Sequence, residues 1–415
     1  MKIIADLHIH SKYSRATSPT TDLENLNKWA HIKGINVLGT GDFTHPQWFQ
    51  HLKENLNPAE PGLFQLKQSK TGVRFLLTSE ISCIYSKKGR TRKVHIVIFS
   101  PSFEIVEKIN AYLGCIGNLK SDGRPILGLD AKELAKIVLN VSSDCLVVPA
   151  HIWTPWFSLF GSKSGFDSME ECFEDYSKYI FMVETGLSSD PKMNWQLSAL
   201  DNVSLISNSD AHSPPKLGRE ANVVSAELDY QSIMEAIKSK DSKRFLYTIE
   251  FFPEKGKYHY DGHRACNISL SPEETKKYNG LCPVCGKPLT IGVLNRVEEL
   301  SDRERGFKPP QAIPFKNLIP LEEIIAEVLG MGTGTKTVQR EWQKLIDAFQ
   351  NEFNVLLNVS RDEIEKKSTP EIAEGIMRVR EGQLFIEPGY DGVYGKIRIF
   401  SKGEQKKISK QSQLF

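Results

Sequence analysis

Residues 2–10 read KIIADLHIH, an apolar run followed by two histidines one residue apart. A short run of this kind is typical of a buried β-strand. Because residues i and i+2 of an extended segment project to the same side, we expect His8 and His10 to lie side by side where the strand ends. The stretch therefore predicts a strand that delivers two imidazole groups to one place.

Outward from this stretch, residues 1 to about 250 alternate short apolar runs with helical patterns. Six further strands are predicted at 35–38, 73–77, 94–99, 145–148, 180–183 and 203–206. Helical patterns lie between most of them, including 22–33, 130–138 and 232–240, and Asp22 and Asp130 can cap the first two. Alternating strands and helices predict an α/β domain whose binding groups gather where the strands end.

Nearly every predicted strand is followed by a residue that can bind a metal ion. These residues are His8, His10, Asp42, Glu80, His151, Glu184, Asp210 and His212. His95 begins its strand instead, but a hairpin with its turn near residues 87–90 would bring it beside Glu80. A single histidine at a strand end is more often structural, whereas a whole set at one rim favours a metal centre.

The mixture of imidazole and carboxylate groups predicts a site for two or three divalent ions. Zinc, manganese, magnesium and iron are the candidates, and a carboxylate can bridge neighbouring ions. Clustered ions lower the pKa of a bound water towards about 7 and stabilise the attacking and leaving oxygens in phosphoryl transfer. We therefore expect hydrolysis of a phosphate ester.

The motifs DLHIH, GDFTH, TSEIS, KVH, PAH and SDAH resemble those of the polymerase and histidinol phosphatase (PHP) family. The resemblance covers residues 1–250 and implies a distorted seven-stranded (β/α) barrel with three ions at its C-terminal rim. It implies three ligand sets. The first is His8, His10, Glu80 and Asp210, the second is Glu80, His95 and His151, and the third is Asp42 and His212. The chain departs from the family at two places. A further histidine is usual where this chain has Ser14, Arg15 and Ala16. A histidine usually follows the aspartate directly, whereas here Phe43 follows Asp42 and the histidine is His45.

A cysteine cluster after residue 250 predicts a second kind of metal site. His263 and Cys266 form H-x2-C, Cys282 and Cys285 form C-x2-C, and 15 residues separate the two pairs. This spacing is typical of a closed tetrahedral zinc site with a structural role. His259 is an alternative fourth ligand, and the H-x2-C spacing favours His263.

Two groups of side chains are candidates for contacts with a nucleic acid. The basic candidates, most of them at the predicted hairpin turn beside the metal rim, are Lys87, Lys88, Arg90, Arg92, Lys93 and Arg219. Trp153, Trp156 and Phe157, in the loop after His151, could stack on an extruded base. The alternatives are a solvated hairpin tip and a plain hydrophobic lid.

From about residue 251 we expect a zinc-binding module (251–310), a mainly helical DNA-binding region (311–400) and a flexible tail (401–415). Helices are predicted at 321–329 and 337–352, and short strands at 383–400. The glycine-rich segment 330–337 lacks the glycine that a nucleotide-binding loop has before Lys336, so we expect a turn between helices instead. The tail ends in KISKQSQLF, which resembles the opening of a peptide that binds a PCNA-like sliding clamp; a disordered basic end is the alternative.

The composition fits a soluble protein of several domains. The chain has 415 residues, of which 40% are hydrophobic and 25% charged, and its formal net charge is +2. It contains no apolar run near the roughly 20 residues of a membrane span and opens with no secretory pattern, so we expect a cytoplasmic protein without a membrane partner. Seven cysteines, three of them in one short stretch, favour a reduced compartment with one metal knuckle.

The metal barrel, the knuckle with CPVCGKPLT and the helical C-terminal region, in this order, resemble the endonuclease Q family of DNA repair nucleases. The resemblance implies metal-dependent incision of DNA 5′ to a deaminated base, with uracil, hypoxanthine, xanthine and abasic sites as substrates. Two other classes compete with it: a phosphatase for a small phosphomonoester, and a DNA-binding scaffold with a decayed centre. The long region after residue 250 disfavours the first, and the filled ligand positions disfavour the second.

Overall fold

The computed structural model describes residues 1–401, 403 and 404 of the chain. The strands of these residues are β1 (Lys2–Asp6), β2 (Val37–Gly39), β3 (Leu56–Pro58), β4 (Phe64–Leu66), β5 (Arg74–Lys87), β6 (Arg90–Ser100), β7 (Ile126–Leu127), β8 (Leu146–Pro149), β9 (Met182–Glu184), β10 (Ser204–Ile206), β11 (Ala221–Ser225), β12 (Phe245–Glu250), β13 (Asp261–His263), β14 (Ile268–Leu270), β15 (Phe315–Asn317), β16 (Phe385–Glu387) and β17 (Lys396–Arg398). The α-helices are α1 (Leu23–Lys33), α2 (Pro46–Asn55), α3 (Phe103–Gly114), α4 (Ala131–Val141), α5 (Met169–Phe173), α6 (Pro191–Asn194), α7 (Tyr230–Lys238), α8 (Pro272–Lys277), α9 (Val293–Leu300), α10 (Leu321–Leu329), α11 (Lys336–Phe349), α12 (Glu352–Leu357), α13 (Arg361–Glu365) and α14 (Pro370–Glu381).

Most strands belong to one large mixed sheet. Its order is β15-β12-β11-β1-β2-β5-β4-β3, while β6 pairs with β5 and β8, and β7 pairs with β5. Strands β1, β2 and β5 are parallel neighbours, whereas β1 with β11 and β5 with β6 are antiparallel. The protein is therefore an α/β protein, as the alternation of strands and helices predicts.

All seven predicted strands are present, as β1, β2, β5, β6, β8, β9 and β10. The predicted hairpin is confirmed: β5 and β6 pair without interruption from Leu77 with Ser100 to Lys87 with Arg90. Both strands extend beyond their apolar runs because the hairpin continues past the buried core, and the side chains near its turn are more exposed.

The ends of β1, β8, β9 and β10 lie close together. Strands β9 and β10 form a separate parallel pair, and the N–H of Ile152, just after β8, donates to the carbonyl of Glu184 in β9 at 3.0 Å. The segment after β1 contacts the segment after β10: Ile9 and Ala211 form a parallel β-bridge, and the Leu7 N–H donates to Asn208 Oδ1 at 2.8 Å. The segments that follow β1, β8 and β10 therefore lie next to one another.

The helices begin near the predicted aspartates. Asp22 caps α1 by accepting the N–H of Asn25 at 2.9 Å, and Asp130 caps α4 in the same way. Helix α7 starts two residues before the predicted position because Asp229 is its cap. Helices α3 and α4 pack against β6, and α4 also contacts β8, so their apolar faces complete the core around the sheet.

The region after residue 250 packs closely on the rest of the chain. Strand β15 joins the large sheet beside β12, and Lys33 of α1 forms a buried ion pair with Glu352 of α12 at 2.8 Å. The Arg296 side chain of α9 donates to the carbonyls of Phe160 and Phe166. Many contacts therefore cross the predicted domain boundaries near residues 250 and 310. The division of the chain into three domains stays a prediction.

Within the described ranges, none of the helices has the length and apolar character needed to cross a membrane. The predicted clamp-binding peptide, KISKQSQLF at residues 407–415, lies outside the described residues.

Candidate metal centre and nucleic-acid interface

A first group of metal-ligand side chains forms where β1, β5 and β10 meet. His8 and His10 follow β1, Glu80 lies in β5 and Asp210 follows β10, and one ligand atom from each lies within 4.8 Å of the others. His10 Nε2 is 3.0 Å from Asp210 Oδ1 and 3.1 Å from Glu80 Oε2, and His8 Nε2 is 3.5 Å from Glu80 Oε2. The same-side placement that H-x-H predicts is therefore present.

The converging atoms of this group lack hydrogen-bond partners. His8 Nε2, His10 Nε2 and Asp210 Oδ1 are buried and make no hydrogen bond, although they approach other polar atoms closely. Buried polar groups in proteins are almost always satisfied, so three orphaned atoms around one point need an explanation. A divalent cation bound between them would satisfy all three, and the donor set of two imidazoles and two carboxylates fits such an ion.

The other nitrogen of each imidazole is held by a carboxylate. His8 Nδ1 lies 2.9 and 3.1 Å from the two oxygens of Glu184, and His10 Nδ1 lies 3.0 Å from Asp42 Oδ1. Second partners of this kind fix the tautomer and ring orientation of metal-binding histidines. Asp42 also accepts hydrogen bonds from Ser11 and Ser14, so its oxygens are already occupied.

Glu80 also belongs to a second group, with His95 of β6 and His151 after β8. Glu80 Oε1 is 2.7 Å from His95 Nδ1 and 3.1 Å from His151 Nε2, whereas Oε2 faces the first group. The remaining nitrogen of His151 lies 3.2 Å from Thr154 Oγ1. One carboxylate is therefore shared by the two candidate ion sites.

Three of the predicted ligands belong to neither group. Glu184 and Asp42 contact the histidines, as described above. His212 lies at the opening, with Nδ1 2.9 Å from the carbonyl of Asp210 and its ring centre 4.5 Å from that of His10. Among the described residues there is no third group of ligands around Asp42 and His212. The structure thus brings six of the predicted residues together in two groups that share Glu80, with Asp42 and Glu184 behind them and His212 at the opening.

Charge pairing dominates the electrostatics of this cluster. Burial alone would lower the pKa of His8 and His10, but the carboxylates of Glu184 and Glu80 outweigh it at His8, and that of Asp42 does so at His10, so both pKa values are raised. Burial would likewise raise the pKa of Glu80, but nearby histidines and Arg124 hold it well below the ordinary value. Ion binding must therefore displace protons, and affinity should fall as the pH falls.

The backbone of the site is unusual at three points. Asp42, His151 and Asp210 have φ angles of 51°, 29° and 46°, in the left-handed region that residues other than glycine seldom adopt. Strain of this kind persists only where the surrounding structure enforces it, and it is concentrated at functional sites. Asp42, His151 and Asp210 lie three, two and four residues after the ends of β2, β8 and β10, so the chain turns close to the point where each side chain enters the cluster.

Sequence reasoning missed two residues that support the cluster. Asp6, the last residue of β1, accepts the N–H groups of Ser209 and Gly218 at 3.0 and 2.9 Å and so holds the segment that carries Asp210. Arg124 donates from Nη1 to Glu80 Oε2 at 3.1 Å. Asp6 stands directly before the histidine motif and could have been noticed, whereas Arg124 lies in an irregular segment without a recognisable motif.

The cysteine cluster also assembles. His263, Cys266, Cys282 and Cys285 offer ligand atoms within 4.8 Å of one another, and the group does not include His259, which is buried beside Tyr260. Although burial opposes it, the backbone N–H groups of Cys285 and Val284 lower the pKa of Cys282 to about 7. A thiolate is the form that binds zinc, so the four-ligand set fits that ion.

The basic residues of the hairpin are not all free to meet a partner, contrary to the prediction. Arg92 is buried, stacks on Phe166 at 4.2 Å and donates to the carbonyl of Gly165. Lys87 is mostly buried in ion pairs with Asp130 and Glu174. Their charges are already used inside the protein, because the local sequence cannot show what packs against a hairpin.

The position of the remaining basic residues also differs from the prediction. Lys88 and Arg90 are exposed at the turn, and Lys87 is seven residues beyond Glu80 along β5, roughly 23 Å away at about 3.3 Å per residue. The turn therefore lies far from the metal groups. Lys93 is nearer, with its ammonium 5.2 Å from the ring centre of Phe157, which in turn lies 4.8 Å from that of His95.

The three predicted aromatic residues have different surroundings. Trp153 is 1% exposed and its indole N–H donates to Asn194 Oδ1 at 2.8 Å, so it is a core residue and the expectation that it stacks on a base is wrong. Trp156 is 43% exposed and packs edge-on against Tyr258. Phe157 is partly buried beside His95.

A cavity of about 680 Å³ lies between this loop and the region after residue 250. Its lining includes Trp156, Arg219, Lys257, Tyr258 and Tyr394. Arg219 also donates to the carbonyls of Ser209 and Asp210, so the cavity adjoins the first metal group. Aromatic faces and positive charge together next to the metal groups suit a nucleotide.

Known proteins resemble the chain in its C-terminal part and over nearly its whole length. Residues 320–383, which contain α10 to α14, match a family described as the MJ0043 C-terminal domain. The chain is 40% identical over 258 residues to the uncharacterised protein MJ0043 of Methanocaldococcus jannaschii, a match covering 59% of the chain but 31% of that relative's length. It is 30% identical over 418 residues to the uncharacterised protein YqxK of Bacillus subtilis, covering 96% and 99% of the two chains.

Two solved structures are similar over nearly the full length. The lesion-specific endonuclease PfuEndoQ of Pyrococcus furiosus superposes with a TM-score of 0.86 at 33% identity, covering 96% of this chain and 95% of that one. Endonuclease Q in complex with a 27-mer duplex substrate that has an abasic lesion at the active site superposes with a TM-score of 0.84 at 33% identity, covering 97% and 98%. The fold and the similarity to these two structures over nearly the full length place the protein in the class of nucleases. The chain belongs to the endonuclease Q family, as the sequence resemblance implies.

Proposed function

We propose that the protein is a metal-dependent endonuclease that cuts DNA on the 5′ side of deaminated bases (uracil, hypoxanthine and xanthine) and of abasic sites. The observation that carries this proposal is the set of buried, unpartnered ligand atoms around Glu80, whose two oxygens face two ligand groups. Family membership supports the choice of DNA as the substrate, since an endonuclease Q structure contains a duplex with an abasic lesion.

In this proposal His8, His10, Glu80 and Asp210 hold one divalent ion, and Glu80, His95 and His151 hold another. Ions bound there would supply Lewis acidity for hydrolysis of the phosphodiester. The candidate ions are zinc, manganese, magnesium and iron.

The protein's own residues would orient this centre before the substrate arrives. Glu184 and Asp42 fix the rings of His8 and His10, and Thr154 contacts the ring of His151. Because these groups are buried and already aligned, little reorganisation would be needed at the moment of reaction. The four-ligand cysteine site would hold a structural zinc ion, because its four protein ligands leave no position open for this chemistry.

The cavity beside the first metal group suits the damaged nucleotide. A mispaired deaminated base costs less to extrude from the duplex than a paired normal base, which gives a first level of selectivity. Trp156 and Tyr258 offer aromatic faces and Arg219 and Lys257 offer positive charge at this place. In this proposal the seven predicted strands would form the distorted barrel, and the zinc module and the helical region would extend the DNA-binding surface.

The test is incision of end-labelled duplexes that carry one uracil, hypoxanthine, xanthine or abasic site, with the cut mapped to the nucleotide. We expect a metal-dependent cut 5′ to the lesion that His8→Ala and Asp210→Asn abolish. His31→Ala removes an exposed histidine of α1 and is the matched control, which should cut normally. Rapid hydrolysis of a small phosphomonoester with no cutting of any lesion duplex would instead favour a phosphatase.

A further inference from the structure

We propose that Arg124 binds the phosphate group that is cut and stabilises its charge during the reaction, beside the two ions. The inference rests on the proposed function for its substrate but adds a residue that no metal motif contains. Arg124 lies in the irregular segment between α3 and β7, and Nη1 donates to Glu80 Oε2 at 3.1 Å. Its guanidinium therefore sits directly against the carboxylate that joins the two ligand groups.

The segment that carries Arg124 is fixed against the metal motifs. The Arg124 N–H donates to Asp122 Oδ1 at 3.1 Å, and the Gly123 N–H donates to the Tyr13 carbonyl at 3.0 Å. A Cβ atom at Gly123 would come within 2.3 Å of Asp42 Oδ2, so only glycine allows the backbone to approach this closely. The guanidinium is consequently placed by backbone contacts on the same motifs that place the ligands.

The guanidinium also faces the open side of the cluster. The side chains of Arg124, Asp210 and His212 are 23%, 24% and 30% exposed, whereas those of His10 and Glu80 are fully buried. Within residues 1–401, 403 and 404, the contact with Glu80 is the only hydrogen bond of this guanidinium. Its other N–H groups are therefore available to a ligand that enters from the opening.

Charge identifies that ligand as an anion. In the ion-free protein, Arg124 balances the buried charge of Glu80. When ions bind at Glu80 and Asp210, they take up that negative charge, and the permanently protonated guanidinium is left beside cations. A phosphate at the opening would restore the balance, and a guanidinium matches two of its oxygens with two parallel N–H groups.

Binding of inorganic phosphate to the metal-loaded full chain tests the inference without any DNA. Calorimetric titration should show that Arg124→Ala weakens phosphate binding roughly 10- to 100-fold, as expected for a charge-assisted pair. The phosphate affinity of Arg124→Lys should lie between those of the wild-type protein and Arg124→Ala, because lysine keeps the positive charge but lacks the two parallel N–H groups of the guanidinium. Arg15→Ala is the matched control, since Arg15 is 78% exposed and pairs with the same Asp122, and it should bind phosphate normally.

Single-turnover cleavage of the lesion duplex at saturating metal gives the second readout. Arg124→Ala should cut about 10²- to 10³-fold more slowly with its ion content unchanged by elemental analysis, and added guanidinium ion should restore part of the rate. If Arg124→Ala has the phosphate affinity and the cleavage rate of the wild-type protein, the inference is wrong. If the variant loses ions and its rate follows metal occupancy, Arg124 only positions Glu80, and the inference is also wrong. If the wild-type protein cuts no lesion duplex yet binds phosphate through Arg124, the proposed function fails and the phosphate-binding role of Arg124 stands. Should Arg124→Ala not fold, the Arg124→Lys titration decides.

Discussion

Replacing Glu184 by glutamine should weaken binding of the ion at His8 and His10 without removing a ligand. The Glu184 oxygens lie 2.9 and 3.1 Å from His8 Nδ1, and Oε2 also accepts from Asn208 Nδ2 at 3.3 Å. If the amide oxygen of glutamine takes the Oε2 position, its NH2 group faces the His8 N–H. If it takes the other position, the NH2 group faces Asn208. Either way a buried donor faces a donor, and the charge that fixes the tautomer of His8 is lost.

Loss of such a partner typically lowers metal affinity 10- to 100-fold, or about 1.4 to 2.7 kcal/mol. The assay is competition between the protein and a fluorescent chelator for Mn²⁺ or Zn²⁺, followed by lesion cleavage across a range of metal concentration. We expect the Glu184→Gln activity curve to shift to higher metal concentration by that factor and to reach a plateau within a few fold of the wild-type level.

Glu220→Gln is the matched control for this experiment. Glu220 is as buried as Glu184, and burial together with the neighbouring Glu250 raises its pKa well above the ordinary value. A protonated glutamic acid and glutamine are both neutral, so metal binding should not change. Superimposable curves for Glu184→Gln and the wild-type protein would refute the positioning role. A loss of more than about 10³-fold would mean that Glu184 is itself a ligand, as its place in the sequence pattern suggests.

Three further predictions concern zinc, pH and the aromatic loop. Cys282→Ser should release one zinc ion, measured by elemental analysis, and lower the melting temperature, whereas Cys115→Ser, at an exposed free cysteine, should do neither. Burial raises the pKa of Glu250 from 4.5 to about 8, so the folded state holds a proton that the unfolded state releases; the free energy of unfolding should fall as the pH rises through this window, and denaturant titrations of Glu250→Gln should show a flatter profile. Trp153→Ala should cost about 3 to 5 kcal/mol of stability, while Trp156→Ala should change stability little but weaken binding of a lesion duplex by about 1 to 3 kcal/mol in fluorescence anisotropy.

The sequence predicted the elements whose signals are local. The apolar runs mark the seven strands, Asp22 marks the start of α1, and the run at 321–329 coincides with α10. The hairpin that unites Glu80 with His95 was also predictable, because it alone makes the position of His95 consistent with the other ligand-type residues. Strand-end positions could be placed together because neighbouring parallel strands end at the same edge of a sheet.

What the sequence could not reveal depends on long-range contacts. Asp42 and Glu184 have the same chemistry as Asp210, and only the fold decides that they face the Nδ1 atoms of the histidines. Likewise, Arg92 belongs to a basic cluster in the sequence but stacks on Phe166 in the structure. Trp153 could be recognised as a core residue only once its partner, 41 residues away, was in place.

The two histidines of H-x-H connect metal binding to the arrangement of the strands around β1. Their Nε2 atoms meet because each Nδ1 atom is held by an acid from a different strand end, Glu184 from β9 for His8 and Asp42 after β2 for His10. Asp42 follows β2, which pairs with β1, whereas Glu184 belongs to the separate β9–β10 pair, so the convergence exists only while both are in place around β1. An ion bound to the Nε2 atoms would favour that arrangement over any other by its own binding free energy. The metal centre is therefore the reactive part of the proposed enzyme and also a connection between β1 and β9, through His8 and Glu184. The first ligand group is complete only when Asp210, from the segment after β10, lies beside the two histidines.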